Sequence, residues 1–140
     1  MPSRRSTLRV LVDTSFLLPS LGVRTDEEVM GAIRYFRAFE VCYAEVSLLE
    51  AMWVILKKVP AKDLGVVEAG LRAIRETYTL VTPPPKAYVD ACTLYSKGHK
   101  DYIDNLLYAT SRRLGTYFLT IDSEFVEFLK EKKLPTNNVV

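Results

Sequence analysis

The chain has 140 residues, of which 49% are hydrophobic and 26% charged, and this length fits one domain spanning residues 1–140. This composition is ordinary for a globular protein and excludes collagen, a coiled coil and full-length disorder. The 19 Lys and Arg residues against 17 Asp and Glu residues give a net charge of +2, which is too balanced to indicate a nucleic-acid partner by itself.

Short β-rich segments alternate with helical patterns along the chain. Strands are predicted over residues 8–12, 41–43, 79–81, 116–120 and 138–140, and helices over 25–39, 47–58, 62–76, 86–96, 101–114 and 122–133. Thr25 and Ser47 each open a capping-box spacing at a helix start, and Gly115 stands where a helix-terminating glycine belongs. The alternation predicts an α/β fold with three layers (α/β/α), in which helices flank a mainly parallel central sheet.

The cellular compartment is predicted from the absence of membrane-span, signal-peptide and disulfide patterns. No apolar run approaches the roughly 20 residues of a membrane span, and the apolar segment at residues 8–12 is too short for a signal-peptide core. Two cysteines, Cys42 and Cys92, do not form a disulfide framework. We expect a cytoplasmic protein with reduced thiols and no membrane contact.

The scarcity of histidine and cysteine limits the kinds of catalytic or metal site that the chain can form. The chain has one histidine, His99, and its two cysteines are far apart, so no zinc-ligand spacing is present. A nucleophile–histidine mechanism would depend on His99 alone, and we expect His99 to be a loop residue. Any chemistry should therefore rest on carboxylates.

Four acids occupy equivalent places relative to the predicted elements. Asp13 and Asp122 follow two strands, whereas Glu50 and Asp104 stand near the starts of two helices. Because ligands of parallel α/β sheets bind at the carboxyl ends of the strands, these four side chains should meet at one edge. Each alone has a simpler explanation, since Asp and Glu are favoured as caps and in first helical turns.

The combination points to a metal ion. Two carboxylates about 5 Å apart repel by about 3 kcal/mol at an effective dielectric constant near 20. A divalent cation would neutralise the group, and oxygen ligands favour Mg²⁺ or Mn²⁺. Without a metal, at least one carboxyl group should have a raised pKa.

Four sequence blocks, in order, resemble those of PIN-domain ribonucleases, in particular the small VapC-type toxins of toxin–antitoxin pairs. The blocks are VLVDTS at residues 10–15, SLLE at 47–50, DYIDNLLYAT at 101–110 and LTIDSEF at 119–125. Each block is short, but together they extend over nearly the whole chain. The resemblance therefore implies a PIN-like fold for residues 1–140.

The resemblance also implies a metal-dependent endoribonuclease that hydrolyses RNA phosphodiester bonds. Asp13, Glu50, Asp104 and Asp122 match the catalytic acids that bind Mg²⁺ or Mn²⁺ in the family. Thr14, Ser15, Thr120 and Ser123 match positions that support the ligands or the scissile phosphate. Asp101 is an additional acid one helical turn before Asp104, and we interpret it as a helix cap, with a ligand or outer-sphere role as the alternatives.

Family members of this kind are typically homodimers restrained by a small antitoxin protein. Residues 48–56 are apolar at every position except Glu50, so part of this helix could contact an antitoxin or a second copy. Three alternatives to a toxin remain: a housekeeping PIN nuclease that processes RNA, a catalytically silent PIN-like binding module, and a haloacid-dehalogenase-type phosphotransferase. The last is disfavoured because that family needs a second Asp where Ser15 stands.

Overall fold

The structure is a computed structural model that describes residues 8–140, and a four-stranded sheet lies at its centre. The strands are β1 (Arg9–Val12), β2 (Glu40–Ala44), β3 (Thr79–Val81) and β4 (Tyr117–Leu119). They are arranged in the order β3-β2-β1-β4, and each neighbouring pair is parallel. All four carboxyl ends therefore lie at the same edge, with β1 at the point where the strand order changes direction.

Six helices accompany the strands. They are α1 (Glu27–Ile33), α2 (Glu45–Lys58), α3 (Leu64–Thr77), α4 (Pro85–Lys97), α5 (Tyr102–Leu114) and α6 (Ser123–Glu131). Five of them, α2 to α6, agree with the predicted segments to within about two residues at each end, which is ordinary scatter for helix boundaries. Gly115 ends α5 in the left-handed conformation, with φ of 71°, as predicted.

Successive strand residues point to opposite faces of the sheet, and their side chains pack into two separate hydrophobic cores. Val10 and Val12 of β1 pack with residues of α2 and α3, whereas Leu11 packs with residues of α4, α5 and α6. The same alternation in β2 separates Tyr43 from Cys42. The predicted three-layer α/β/α arrangement with a parallel sheet is confirmed.

The first predicted helix is too long. It ends at Ile33, and a separate 3-10 turn follows at Phe36–Ala38. The break allows Phe36 to enter the core, where its ring lies 6.0 Å from those of both Phe16 and Tyr78. The helix therefore ends early because burying the Phe36 ring stabilises the fold more than another helical turn would.

Both predicted capping boxes are wrong. Asp26 precedes α1 without a side-chain cap, and the Thr25 hydroxyl is buried without a hydrogen-bond partner. The helix α2 begins at Glu45 directly after β2, so Ser47 lies inside its first turn and its hydroxyl is also unpartnered. The strand determines where α2 starts, because the chain turns into the helix as soon as the sheet ends.

The predicted last strand is reduced to a single parallel bridge between Val139 and Phe118. Backbone hydrogen bonds join Phe118 N to Asn138 O at 2.8 Å and Val140 N to Phe118 O at 2.9 Å. The Asn138 side chain also donates to the Thr116 carbonyl at 3.0 Å. Residues 138–140 thus lie along the outer edge of β4, beside the strand that leads to Asp122.

Gly70 permits an unusually close contact between two backbones. A Cβ atom at this position would lie 2.0 Å from the carbonyl oxygen of Ser20. Ser20 belongs to the 3-10 turn Pro19–Leu21, which closely follows the segment that carries Asp13. The absence of a side chain at Gly70 therefore lets α3 pack directly on this turn.

Within residues 8–140, no helix is both long and apolar enough to cross a bilayer. Cys42 is buried, Cys92 is exposed, and both are free thiols.

Candidate active site

Asp13 joins the carboxyl ends of the two central strands. Its backbone N–H donates to the Leu119 carbonyl at 3.0 Å, which continues the pairing of β1 with β4. Its carboxylate accepts from the Ser15 amide at 2.9 Å and from the Ile121 amide at 3.3 Å. Because the side chain is only 5% exposed and held from two directions, its position is fixed by the fold.

Glu50 reaches the same edge from the second turn of α2. The buried Thr14 hydroxyl, one residue after Asp13, donates a hydrogen bond to a Glu50 carboxylate oxygen. The predicted supporting residue Thr14 therefore orients an acid on another element.

Asp104 and Asp101 share the start of α5. The Asp101 carboxylate accepts from the Asp104 amide at 3.1 Å, so Asp101 caps this helix as predicted. The cap leaves the Asp104 side chain free of a capping role. Asp104 therefore offers its carboxyl group to the cleft.

Asp122 is the N-cap of α6. Its carboxylate accepts from the Phe125 amide at 3.1 Å, while its own amide donates to the Thr120 hydroxyl oxygen at 3.0 Å. Thr120 is buried and so fixes the connection between β4 and α6. Ser123 is the first residue of α6, and its side chain is exposed.

One open cleft of about 400 Å³ collects most of these groups. It is lined by Asp13, Thr14, Ser15, Leu18, Glu50, Val54, Asp101, Asp104, Ile121 and Asp122. All four predicted acids, the additional Asp101, and the supporting residues Thr14 and Ser15 therefore meet in one place. Thr120 and Ser123 are not among the lining residues of this cleft.

Burial and mutual repulsion perturb the carboxyl groups of the cleft. Burial raises the pKa of Asp13 from 3.8 to about 6, although hydrogen bonds from Thr120, Ile121 and Ser15 oppose the shift. Burial also raises the pKa of Glu50, and the charge of Asp101 adds to this.

Asp104 carries the largest perturbation. Burial, a hydrogen bond with Asp122 and the charges of Asp101, Asp13 and Asp122 raise its pKa from 3.8 to about 9. A carboxyl group that keeps its proton at neutral pH can share it with a neighbouring carboxylate. The raised pKa of Asp104 thus reflects a buried carboxyl group surrounded by other acids.

The donor set fits a hard divalent cation. Carboxylate oxygens are the ligands that Mg²⁺ and Mn²⁺ prefer. A bound cation would favour the charged carboxylates, which burial and, to a lesser extent, the neighbouring acids disfavour. All four predicted acids line the cleft, and carboxylate oxygens of Asp104 and Asp122 lie within 4.8 Å of each other.

His99 also belongs to this region, although its sequence position predicted only a loop residue. A ring nitrogen of His99 and one carboxylate oxygen each from Asp104 and Asp122 all lie within 4.8 Å of one another. His99 does lie in the loop between α4 and α5, as expected, and its ring and its carbonyl both contact the side chain of Asn105 in the first turn of α5. Because a loop has no periodic pattern, the spacing of residues along the chain did not indicate this placement.

Comparison with known proteins agrees with this geometry. A family model described as the PIN domain matches residues 10–130. The chain therefore belongs to the PIN domain family. No curated protein sequence gave a significant match.

Solved structures of toxins and toxin–antitoxin complexes share the fold. Mycobacterium tuberculosis VapC20, a toxin that cleaves the sarcin-ricin loop, superposes with a TM-score of 0.65 at 18% identity, covering 84% of this chain and 93% of that one. FitAcB from Neisseria gonorrhoeae gives a TM-score of 0.67 at 14% identity, covering 86% and 93%. A toxin–antitoxin complex from Klebsiella pneumoniae gives 0.63 at 16% identity, covering 94% and 95%.

Proposed function

We propose that this protein is a Mg²⁺- or Mn²⁺-dependent endoribonuclease that hydrolyses RNA phosphodiester bonds, and that it is the toxin of a type II toxin–antitoxin pair in the cytoplasm. The observation that carries the proposal is the meeting of four acids at the carboxyl edge of a PIN-domain sheet, in one open cleft. Burial and neighbouring charges raise the pKa values of Asp13, Glu50 and Asp104, as expected of acids gathered to hold a cation.

In this proposal Asp13, Glu50, Asp104 and Asp122 are catalytic and hold the ion. When bound, a divalent ion supplies an activated water and stabilises charge that develops on the phosphoryl oxygens. Asp13 holds its position because two amides fix its carboxylate, and Thr14 fixes the orientation of Glu50.

The remaining polar residues have supporting roles. Thr120 orients Asp122 through the amide of that residue, and the exposed Ser123 is available to a phosphate of the substrate. Ser15 contributes its amide to Asp13. Asp101 caps α5 and adds charge without acting as a ligand.

An RNA substrate is consistent with the charge distribution and with the neighbours. The net charge is +2, and leaving out the four proposed metal ligands, each counted as −1, leaves a formal charge of +6 on the rest of the chain. Positive charge outside the cleft favours a polyanion, while the ion offsets the acidic centre. One of the structural neighbours is described as a toxin that cleaves the sarcin-ricin loop.

The central experiment is cleavage of a mixed RNA pool by the full chain with Mn²⁺, Mg²⁺ or EDTA, beside Asp104→Asn. We expect cleavage with the ions, none with EDTA, and a loss of about 100-fold or more in the variant, because ligands and charge stabilisation act together. Glu124→Gln is the matched control, because Glu124 is an exposed acid on α6 that does not line the cleft.

The outcomes separate the alternatives. Cleavage that survives EDTA, or an unimpaired Asp104→Asn, would contradict the metal-dependent mechanism. No cleavage of any RNA despite metal binding would favour a silent binding module. Cleavage by a protein that binds no antitoxin would favour a housekeeping nuclease.

The partner proposal rests on an apolar strip along α2, formed by Leu49, Trp53 and Leu56. Their side chains are 61%, 61% and 72% exposed, and their spacing places them on one face of the helix. Since Leu48, Ala51 and Ile55 of the same helix are buried, the strip is additional apolar surface. We assign it to a small antitoxin protein, with a homodimer contact as the alternative.

Leu56→Lys tests this assignment. The change should weaken antitoxin binding by about tenfold or more, because it places a charge in an apolar contact, while RNA cleavage stays within about twofold. Titration followed by the fluorescence of Trp53, the single tryptophan of the chain, measures the binding. A variant that binds normally but becomes monomeric in light scattering would assign the strip to the homodimer instead.

A further inference from the structure

His99 is held in a position and a tautomer that suit a metal ligand. Its Nδ1 lies 2.8 Å from the Asn105 Oδ1 atom. Its ring packs edge-on against Phe125, with 4.8 Å between centroids, and at a tilt against Phe128, with 5.3 Å between centroids. The imidazole is therefore fixed on three sides.

The hydrogen bonds of Asn105 identify which ring nitrogen carries the proton. The Asn105 amide nitrogen donates to the His99 carbonyl at 2.8 Å and faces the Ala91 carbonyl at 3.5 Å. A flipped amide would bring its oxygen against these two carbonyl oxygens, so the oxygen must face the ring. Nδ1–H of His99 is consequently the donor to Asn105, so Nε2 is the ring nitrogen available to a ligand.

This is the arrangement that supports histidine as a metal ligand in proteins. A ligating imidazole almost always donates its other N–H to an oxygen acceptor, which fixes both tautomer and orientation. Asn105 is fully buried and supplies that acceptor. The buried asparagine directly after Asp104 is thereby explained, because it positions His99 beside Asp104.

The separations of the three groups also suit a shared ion. A ring nitrogen of His99 and one carboxylate oxygen each of Asp104 and Asp122 lie within 4.8 Å of one another. Among residues 8–140, His99 forms no ion pair of 4.0 Å or less, so its ring is not already bound to a carboxylate. Donor atoms on one octahedral ion lie about 3 to 4 Å apart, given metal–oxygen distances of about 2.1 Å. Small side-chain movements would bring all three onto one ion.

We propose that His99 supplies a nitrogen ligand, Nε2, to the divalent ion held by Asp104 and Asp122, and that this nitrogen makes the site select Mn²⁺ and other transition ions over Mg²⁺. The inference rests on the proposed metal site and narrows its choice of ion. Imidazole favours transition ions, whereas an all-oxygen set suits Mg²⁺ as well.

The single histidine makes the test unambiguous. The full chain, without a histidine tag and stripped with EDTA, is loaded with substoichiometric Mn²⁺ and measured by pulsed EPR (electron spin echo envelope modulation). We expect ¹⁴N modulation from a directly bound imidazole, and [¹⁵N]histidine labelling should change it without any mutation because His99 is the only possible source.

His99→Gln gives an independent measurement. The Mn²⁺ dissociation constant should rise by about tenfold, the size typical of changes in or next to a ligand shell, and the Mg²⁺ constant by less than about threefold. A role confined to packing would change neither the ratio of the two constants nor the EPR signal.

The outcomes distinguish this inference from the proposed function. Bound Mn²⁺ without histidine-sensitive modulation, together with an unchanged ratio of constants, would overturn the role of His99 and leave the nuclease intact. Histidine-sensitive modulation in a protein that cleaves no RNA would refute the nuclease and retain the metal site. Failure to bind either ion would overturn both.

Discussion

Asp101 combines two effects in one carboxyl group. One oxygen accepts from the Asp104 amide at 3.1 Å and so caps α5, while the charge of the group contributes to the raised pKa of Asp104 and of Glu50. Substitutions can separate the two effects, because asparagine retains the capping oxygen and loses the charge.

We expect Asp101→Asn to retain the stability of the metal-free protein and to weaken Mn²⁺ binding by less than about tenfold, whereas Asp101→Ala should lose about 1 kcal/mol of stability with the cap. Urea denaturation in EDTA measures the first effect, and Mn²⁺ titration the second. If Asp101→Asn abolished RNA cleavage as completely as Asp104→Asn, Asp101 would be a ligand and the cap assignment would be incomplete.

The residues of the site differ in how far the sequence could predict them. Asp13 and Asp122 follow strands, so the topology of a parallel sheet is enough to bring them together. His99 was missed because its place depends on the path of a loop and on one hydrogen bond with Asn105. Side-chain contacts of this kind have no period and cannot be predicted from local sequence.

At the scale of the elements, packing decided where helices begin and end. Ser47 has the spacing of a capping box, yet α2 begins earlier because β2 ends at Ala44. α1 stops at Ile33 so that Phe36 can be buried. Periodic patterns predicted that these helices exist, whereas tertiary contacts set their ends.

The close contact of α3 with the turn at Pro19–Leu21 makes Gly70 sensitive to substitution. Gly70→Ala should destabilise the protein by about 2 to 4 kcal/mol, because the new Cβ atom would overlap the Ser20 carbonyl oxygen and the helix would have to move. Gly31→Ala is the matched control, since Gly31 lies in α1 with nothing within 4 Å of the added atom. That control should be neutral or stabilising by up to about 1 kcal/mol.

Thermal and urea denaturation of the two variants measure the difference. Equal stability of Gly70→Ala and Gly31→Ala would show that α3 does not pack on this turn at the distance described.

At the scale of the whole molecule, the acidic cleft links stability to pH. Asp13 and Asp104 have folded-state pKa values of about 6 and about 9, both above the ordinary value of 3.8. A raised pKa means that the folded protein binds the proton more tightly than the unfolded chain. The resulting stabilisation is complete below pH 3.8 and is lost as the pH rises through 6 and then 9.

We therefore expect the free energy of unfolding of the metal-free protein to fall by a few kcal/mol between about pH 5 and pH 9. Saturating Mn²⁺ should reverse this trend, because the ion binds the deprotonated carboxylates. Urea denaturation at pH 5, 7 and 9, with EDTA or with Mn²⁺, measures both curves. Asp104→Asn should flatten the metal-free curve above about pH 6, and an unchanged slope would contradict the raised pKa of Asp104.

The helix and turn caps of the cleft have a consequence for the order of binding. The amides of Ser15, Asp104 and Phe125, which could otherwise donate to a phosphate, already donate to carboxylates of the protein. An ion-free cleft thus presents an approaching phosphodiester mainly with acceptors and negative charge. Under the proposed function, the cation should therefore bind first and create the electrophilic surface that the nucleic acid then recognises. The availability of the cation would limit substrate binding as well as the chemical step.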